Sequence, residues 1–193
     1  MKDILKLKTE IEKFVPFNDQ ELKDKEEILR NISQNKKILT RDNNAHITVS
    51  AWIIDETHNY VLMAYHNIYN SWAWLGRHAD GNANLKEIIL KEINEESGLT
   101  NAKFLSNDIY SLEILPVSGH EKNAEYVSSH LHLNITYLLA ANKSHKITIK
   151  PDENSKIGWI DINRISEYSN ETWFVERIYS KLCAKLNKGC IIK

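Results

Sequence analysis

Gly76-Arg77-His78-Ala79-Asp80-Gly81-Asn82-Ala83-Asn84 leads into Leu85–Leu99, which ends Lys91-Glu92-Ile93-Asn94-Glu95-Glu96-Ser97-Gly98-Leu99. Two glycines and three asparagines or aspartates make the first part a turn-rich loop; the second part has helical spacing. Glu92, Glu95 and Glu96 fall at i, i+3 and i+4, so a helix brings them onto one surface. Like charges in that arrangement destabilise a helix unless a cation sits among them, and a hard divalent ion such as Mg²⁺ or Mn²⁺ prefers oxygen ligands. Stepping about 100° per residue from Leu85 centres the apolar stripe near Leu85 and Ile89. Glu96 falls about 20° from Leu85, Glu92 at the stripe's margin and Glu95 beside Ile88. A merely solvated acidic face would lie opposite, where Glu87 and Asn94 fall. The carboxylates are therefore expected where the helix meets the body of the protein.

These residues resemble a Nudix box, the signature of Nudix hydrolases. That pattern is a Gly, five free positions, a Glu, seven free positions, then Arg-Glu-aliphatic-x-Glu-Glu-x-Gly-aliphatic. Anchored at Gly98, it is matched by Glu92, Ile93, Glu95, Glu96, Gly98 and Leu99. Three positions depart: Lys91 stands for the Arg, Arg77 for the leading Gly and Ala83 for the first Glu. Trp72-Ala73-Trp74-Leu75-Gly76 with His78-Ala79-Asp80-Gly81 is similar to a subgroup carrying a Gly-Gly-His-Ala-Asp-Gly segment. His46–Trp52 and His130-Leu131-His132-Leu133 extend that resemblance, which covers roughly residues 41–165.

The resemblance implies a three-layer α/β/α sandwich with a central mixed sheet, an α/β (α+β) fold preceded by N-terminal helices. It also implies a metal-dependent pyrophosphohydrolase that cleaves the diphosphate linkage of a nucleoside diphosphate derivative by water attack on phosphorus. Glu92, Glu95 and Glu96 are then the catalytic metal ligands for Mg²⁺ or Mn²⁺, with the Gly76 carbonyl a further ligand. Lys91 keeps the charge of the bracing Arg without its rigid fork. Arg77 either crowds the metals or binds phosphate. His78, Arg77, Trp74 and His132 are the candidate substrate contacts. Glu121 and Glu125 are candidate general bases, although loop glutamates are usually just solvated. A second reading is a catalytically weak Nudix domain that binds a nucleotide-like ligand, for which Arg77 and Ala83 argue. Isoprenoid diphosphate isomerisation is disfavoured, because both cysteines lie far towards the C-terminus.

The residues around this segment bound the rest. A 193-residue chain with net charge −1, 42% hydrophobic and 26% charged residues is a soluble globular protein with no nucleic-acid or membrane surface partner expected. No run approaches the ~18 apolar residues of a membrane span, and the N-terminus has no apolar signal core, so a cytoplasmic location is expected. Cys183 and Cys190 read as reduced thiols. The chain reads as one domain over 1–193, with a helical extension at 1–43, a core at about 44–165 and a closing helix at 166–193.

Within the extension, Asp3–Phe14 and Asp19–Gln34 are expected helices, capped in the second case by Asn18 or Asp19. Ile4, Leu5, Leu7, Ile11 and Phe14 line the first, and Leu22, Ile28, Leu29 and Ile32 the second. They serve as a lid, a packing element or a contact for a homodimer. Ile47–Ile54 and Tyr60–Tyr65 form a hairpin, and His66–Asn84 a structured loop. Asn84 and Glu87 form a capping-box-like pair, and Gly98 is a left-handed terminator. Strands are expected within Phe104–Val117, His130–Ala141 and Ile157–Ile162, a polar loop at Ser118–Ser129, and an amphipathic helix at Glu171–Asn187. His130, His132 and Asn134 alternate and so share a strand face, where the histidines contact phosphate or a metal or hydrogen-bond at the sheet surface.

Overall fold

Sixteen residues of alternating charge and aliphatic side chains behind Asn18 produce the best-defined N-terminal element. The helix Asp19–Gln34 (α2) starts where the Asn18 side chain accepts the Glu21 N–H at 2.9 Å. The Glu21 carboxylate reaches back to the Phe17 N–H at 2.7 Å, a variant of the capping box. The computed structural model describes residues 2–187 other than 69, 123 and 153. The chain divides into two compact units, Met1–Val49 with Arg77–Ile88 and Asp108–Thr136, and Ser50–Gly76 with Ile89–Asn107 and Tyr137–Lys193.

In the first unit, α1 (Lys2–Lys13) buries Leu7 and Ile11, with Phe14 just beyond it, and leaves Leu5 exposed. The spacing of those three buried residues is one helical face. In α2 the inward residues are Glu21 and Ile28, while Leu22 turns outward. That departs from the apolar stripe expected of this helix. A carboxylate is tolerated inside because it is hydrogen-bonded: Glu21 also accepts from the Ser111 hydroxyl at 2.5 Å. Lys25 donates to the carbonyls of Glu12 and Phe14 at 2.8 and 2.7 Å, tying α2 to the end of α1. The N-terminal helices are thus a packing element. Strand β6 (Ser111–Val117) takes Ile114 N–H to Asp24 of α2 at 3.2 Å, so α2 satisfies part of a strand edge. On its other side β6 runs antiparallel to β9 (His130–Ala140), with Glu113 opposite Asn134 and Leu115 opposite His132. Ser118–Ser129, expected as a loop, instead folds into a short hairpin, β7 (His120–Lys122) and β8 (Glu125–Val127). Ala124 makes its turn with φ 61°.

Strand β1 (Ala45–Ile54), of which only Ser50 onward belongs to the second unit, turns into β2 (Tyr60–His66), with Ile54 opposite Val61. The buried Asp55 carboxylate builds the turn by accepting from the Thr57 hydroxyl at 2.6 Å and the N–H groups of Asn59 and Tyr60 at 3.0 Å each. Burial opposes its ionisation, but these hydrogen bonds outweigh burial and hold the carboxyl below the usual aspartate range. Its contribution is therefore complete above the unfolded-state pKa near 4 and is lost as pH falls through the lower folded value. Asp55→Ala is expected to cost about 1–3 kcal/mol at neutral pH and to flatten stability below pH ~4. Urea unfolding at several pH values measures both effects. Strand β10 (Asn154–Asp161) lies antiparallel to β2, whose far end carries β3 (Ser71–Ala73).

The eight-stranded sheet runs β10-β2-β1-β9-β5, where β5 is Lys103–Phe104, with β3 on β2, β4 (Leu75–His78) on β1 and β6 on β9. This is an α+β fold, a mixed sheet with flanking helices. His66–Asn84 is therefore partly strand, because the short β3 and β4 segments add to existing edges without needing a periodic pattern of their own. The closing segment is a short helix α4 (Ile165–Tyr168), then Thr172–Phe174 (α5), a π-turn at Val175–Tyr179 and α6 (Ser180–Asn187). Ile178 and Leu182 are buried along it, as the amphipathic reading requires. Burial raises the Cys183 thiol to about 11, and Cys190 lies outside the described residues. Among the described residues no helix is long and apolar enough to cross a membrane.

Candidate functional site

The acidic helix α3 spans Leu85–Ser97. The Ile88 N–H bonds the Asn84 carbonyl at 3.2 Å, and the Asn84 side chain donates to Glu87 at 2.8 Å. The Asn84 N–H goes to Asn82 at 2.8 Å, so Asn84 and Glu87 pair side chain to side chain and do not form the expected reciprocal capping box. Glu87 nonetheless has the structural role expected of it. Gly98 ends the helix with φ +70°, and its N–H reaches the Asn94 carbonyl at 2.9 Å. The Ser97 carbonyl, otherwise an orphan of the last turn, accepts from Thr148 N–H at 2.9 Å.

An added Cβ at Gly98 would stand 2.5 Å from the Thr148 hydroxyl, which can rotate away, so the backbone conformation dominates. Gly98→Ala is expected to lose about 1–2 kcal/mol and lower Tm by roughly 2–8 °C. An unchanged Tm would show that the helix ends another way.

Along α3, Leu85, Ile89, Ile93 and Ser97 are buried. Glu92 shares that face at 4% exposure, Glu96 is half-buried and Glu95 is exposed. Burial is thus deepest at Glu92, one turn further into the helix than Glu96. Lys91 Nζ lies 3.6 Å from Glu95 Oε1. Lys91 therefore meets one of the three α3 carboxylates.

Arg77 lies in the extended strand β4 and is half-buried, so this position makes no demand for glycine's left-handed freedom. Gly76, in the same strand, is exposed. The left-handed residues come later, at Asp80 with φ 46° and Gly81 with φ 90°. Arg41 grips Asp80 through two bonds of 2.7 Å, and this pairing holds the Asp80 carboxyl below its usual range. Asp80 therefore pins the loop. Half-buried Trp74 meets Trp52 and Tyr179 edge to face at 6.4 and 5.7 Å between ring centroids. Glu121 and Glu125 are exposed on the β7–β8 hairpin.

His78 and His132 are brought together, their Nε2 atoms 3.1 Å apart. His130 Nε2 lies 3.1 Å from the same His132 atom, and the His46 ring centroid is 5.1–5.2 Å from those of His78, His130 and His132. Alternation along β9 identifies His130 and His132 as neighbours. Nothing local in the sequence joins His46 to this group; only the fold does. Beside these rings lies a buried polar network that sequence reasoning also missed. Asn134 accepts from Thr48 at 3.0 Å and donates to Glu113 at 3.0 Å, and Thr136 donates to Glu113 at 2.9 Å.

No protein-family model matches the chain, and no curated protein matches it. Solved structures match its fold. A C. elegans Ap4A hydrolase shares 14% identity at TM-score 0.52, over 74% of this chain and 95% of that one. An E. coli dihydroneopterin triphosphate pyrophosphohydrolase shares 11% identity at TM-score 0.52, over 72% of this chain and 95% of that one. A Nudix-family hydrolase from Clostridium perfringens shares 21% identity at TM-score 0.50, over 73% of this chain and 97% of that one. The chain thus has the fold of these hydrolases.

Proposed function

We propose that the protein is a metal-dependent pyrophosphohydrolase acting on the diphosphate linkage of a nucleoside diphosphate derivative. The observation that carries this reading is the placement of Glu92, buried on the inward face of α3, with Glu96 one turn on and Glu95 beside it. A merely solvated acidic face would not bury a carboxylate as Glu92 is buried. Membership of a fold shared with hydrolases supports the reading, since one such neighbour is a pyrophosphohydrolase.

The donor set fits Mg²⁺ or Mn²⁺: clustered carboxylates on a rigid helix, supplemented by the backbone carbonyl proposed at Gly76. Such an ion, when bound, neutralises charge on diphosphate oxygens and acidifies the attacking water. Glu92 and Glu96 supply the anionic oxygens that hold it. Lys91 beside Glu95 limits the rotamers of that carboxylate, more loosely than an arginine fork would. Arg77, a long cation on an unstrained strand, is proposed to hold a phosphate, and the exposed part of Trp74 to meet the rest of the substrate. His132 is already engaged with both His78 and His130.

Product formation over a panel of ADP-ribose, dinucleoside polyphosphates, sugar nucleotides and nucleoside triphosphates, each with Mg²⁺ or Mn²⁺, tests the proposal. Metal-dependent turnover on one class is expected. Tight binding of one compound with no turnover on any would favour a binding module in its place.

A further inference from the structure

We propose that His46, His78, His130 and His132 form a binding site for a divalent d-block cation of the zinc type. This inference does not rest on the hydrolase reading, because its donors are imidazoles and not carboxylates. One ligating nitrogen from each of the four rings lies within 4.8 Å of all the others. Two of the separations, His78 to His132 and His130 to His132, are 3.1 Å between Nε2 atoms. Tetrahedral coordination at a metal–nitrogen distance of about 2.0–2.1 Å sets ligand nitrogens about 3.3 Å apart, so those two separations already fit and the others close by no more than about 1.5 Å.

Proton accounting points the same way. His46 Nδ1 faces the Asn43 carbonyl at 3.0 Å, and His130 Nδ1 faces the Ser128 carbonyl at 2.8 Å. A carbonyl accepts only, so each Nδ1 carries the proton and each Nε2 presents a lone pair in the neutral ring. The same second-partner arrangement orients metal-ligating histidines in general. His46 is 3% exposed, and its Nε2 has no hydrogen-bond partner. His132 Nε2 stands between the Nε2 atoms of His78 and His130 and has a single site for one proton or one lone pair. If it donates, one proton is shared between two acceptors; if it accepts from His78, it opposes the lone pair of His130. Neither arrangement supplies anything to His46. One cation satisfies all four nitrogens.

Imidazole nitrogen selects zinc, nickel, copper or iron over magnesium, which demands oxygen. The donors come from β1, β4 and β9, three segments far apart in sequence, so the ion staples the strands that carry them.

The full chain, stripped of metal with a chelator and titrated with Co²⁺, gives a direct reading. About one equivalent is expected to bind with the intense visible d–d absorption of four-coordinate cobalt, and Zn²⁺ is expected to bleach it. Excess Mg²⁺ and the Glu96→Gln change should leave the spectrum intact. Half-exposed His130 is the safest ligand to remove. His130→Ala, with folding checked by circular dichroism, should weaken Co²⁺ by more than the roughly 10–100-fold that loss of a supporting hydrogen bond costs. No stoichiometric Co²⁺ or Zn²⁺ binding to the folded chain would overturn the proposal. So would a cobalt spectrum that Glu96→Gln abolishes and His130→Ala leaves unchanged, since that would place the ion on the acidic helix.

Discussion

Glu96→Gln is expected to reduce kcat on the substrate class found by the panel by on the order of 10³-fold, with Tm essentially unchanged. The substitution removes a charge with almost no change in volume. Glu96 is half-buried in the last turn of α3, so glutamine can keep the packing while losing the anionic oxygen. A loss of that size is what removing one charge-stabilising group from an active site typically costs. Glu92→Gln should behave similarly, with a larger effect on stability because Glu92 is the deeper of the two. The comparison that matters is Glu95→Gln. Glu95 is exposed and tied to Lys91, so its loss should fall nearer 10–100-fold, the range for groups that support a ligand and do not hold the metal alone. Equal turnover in Glu96→Gln and the parent chain would remove α3 from the chemistry.

The second large effect is on stability. Glu113→Ala is expected to cost about 3 kcal/mol, or roughly 6–12 °C in Tm. Glu113 is fully buried, opposite Asn134 across the β6–β9 ladder, and accepts from both Asn134 and Thr136. Alanine would remove the buried acceptor that Asn134 and Thr136 share, which costs more than the hydrogen bonds contributed. Glu113→Gln retains an acceptor oxygen and should lose much less. Thermal unfolding of the pair separates these cases: equal losses would mean that volume matters and acceptance does not.

These two glutamates also mark what could be seen in the sequence. Glu96 belongs to a helix whose period, glycine terminator and carboxylate spacing are all local. The α3 boundaries follow from that pattern, but the order of burial does not: the pattern sets Glu96 inside the apolar stripe and Glu92 at its margin, whereas Glu92 is the buried one. Likewise, Asn18 announces α2 and the β-branched run at 47–54 announces the hairpin. Glu113 carries no such signal. Its partners lie 21 and 23 residues away on another strand, and Glu21 finds Ser111 at a separation of 90. A buried charge is licensed by tertiary partners that no window contains. The short strands β3, β4, β7 and β8 were missed because three or four residues are too few to show alternation. For the histidines, spacing could pair His130 with His132, but only the fold adds His46 and His78.

Mn²⁺ binding followed by electron paramagnetic resonance tests most directly whether the α3 carboxylates are a divalent-metal centre. With His130→Ala as the background, to remove the imidazole site, added chain should quench the free-ion signal. Introducing Glu92→Gln or Glu96→Gln should restore it by weakening Mn²⁺ at least about tenfold. Identical Mn²⁺ binding with and without those glutamates would contradict the account.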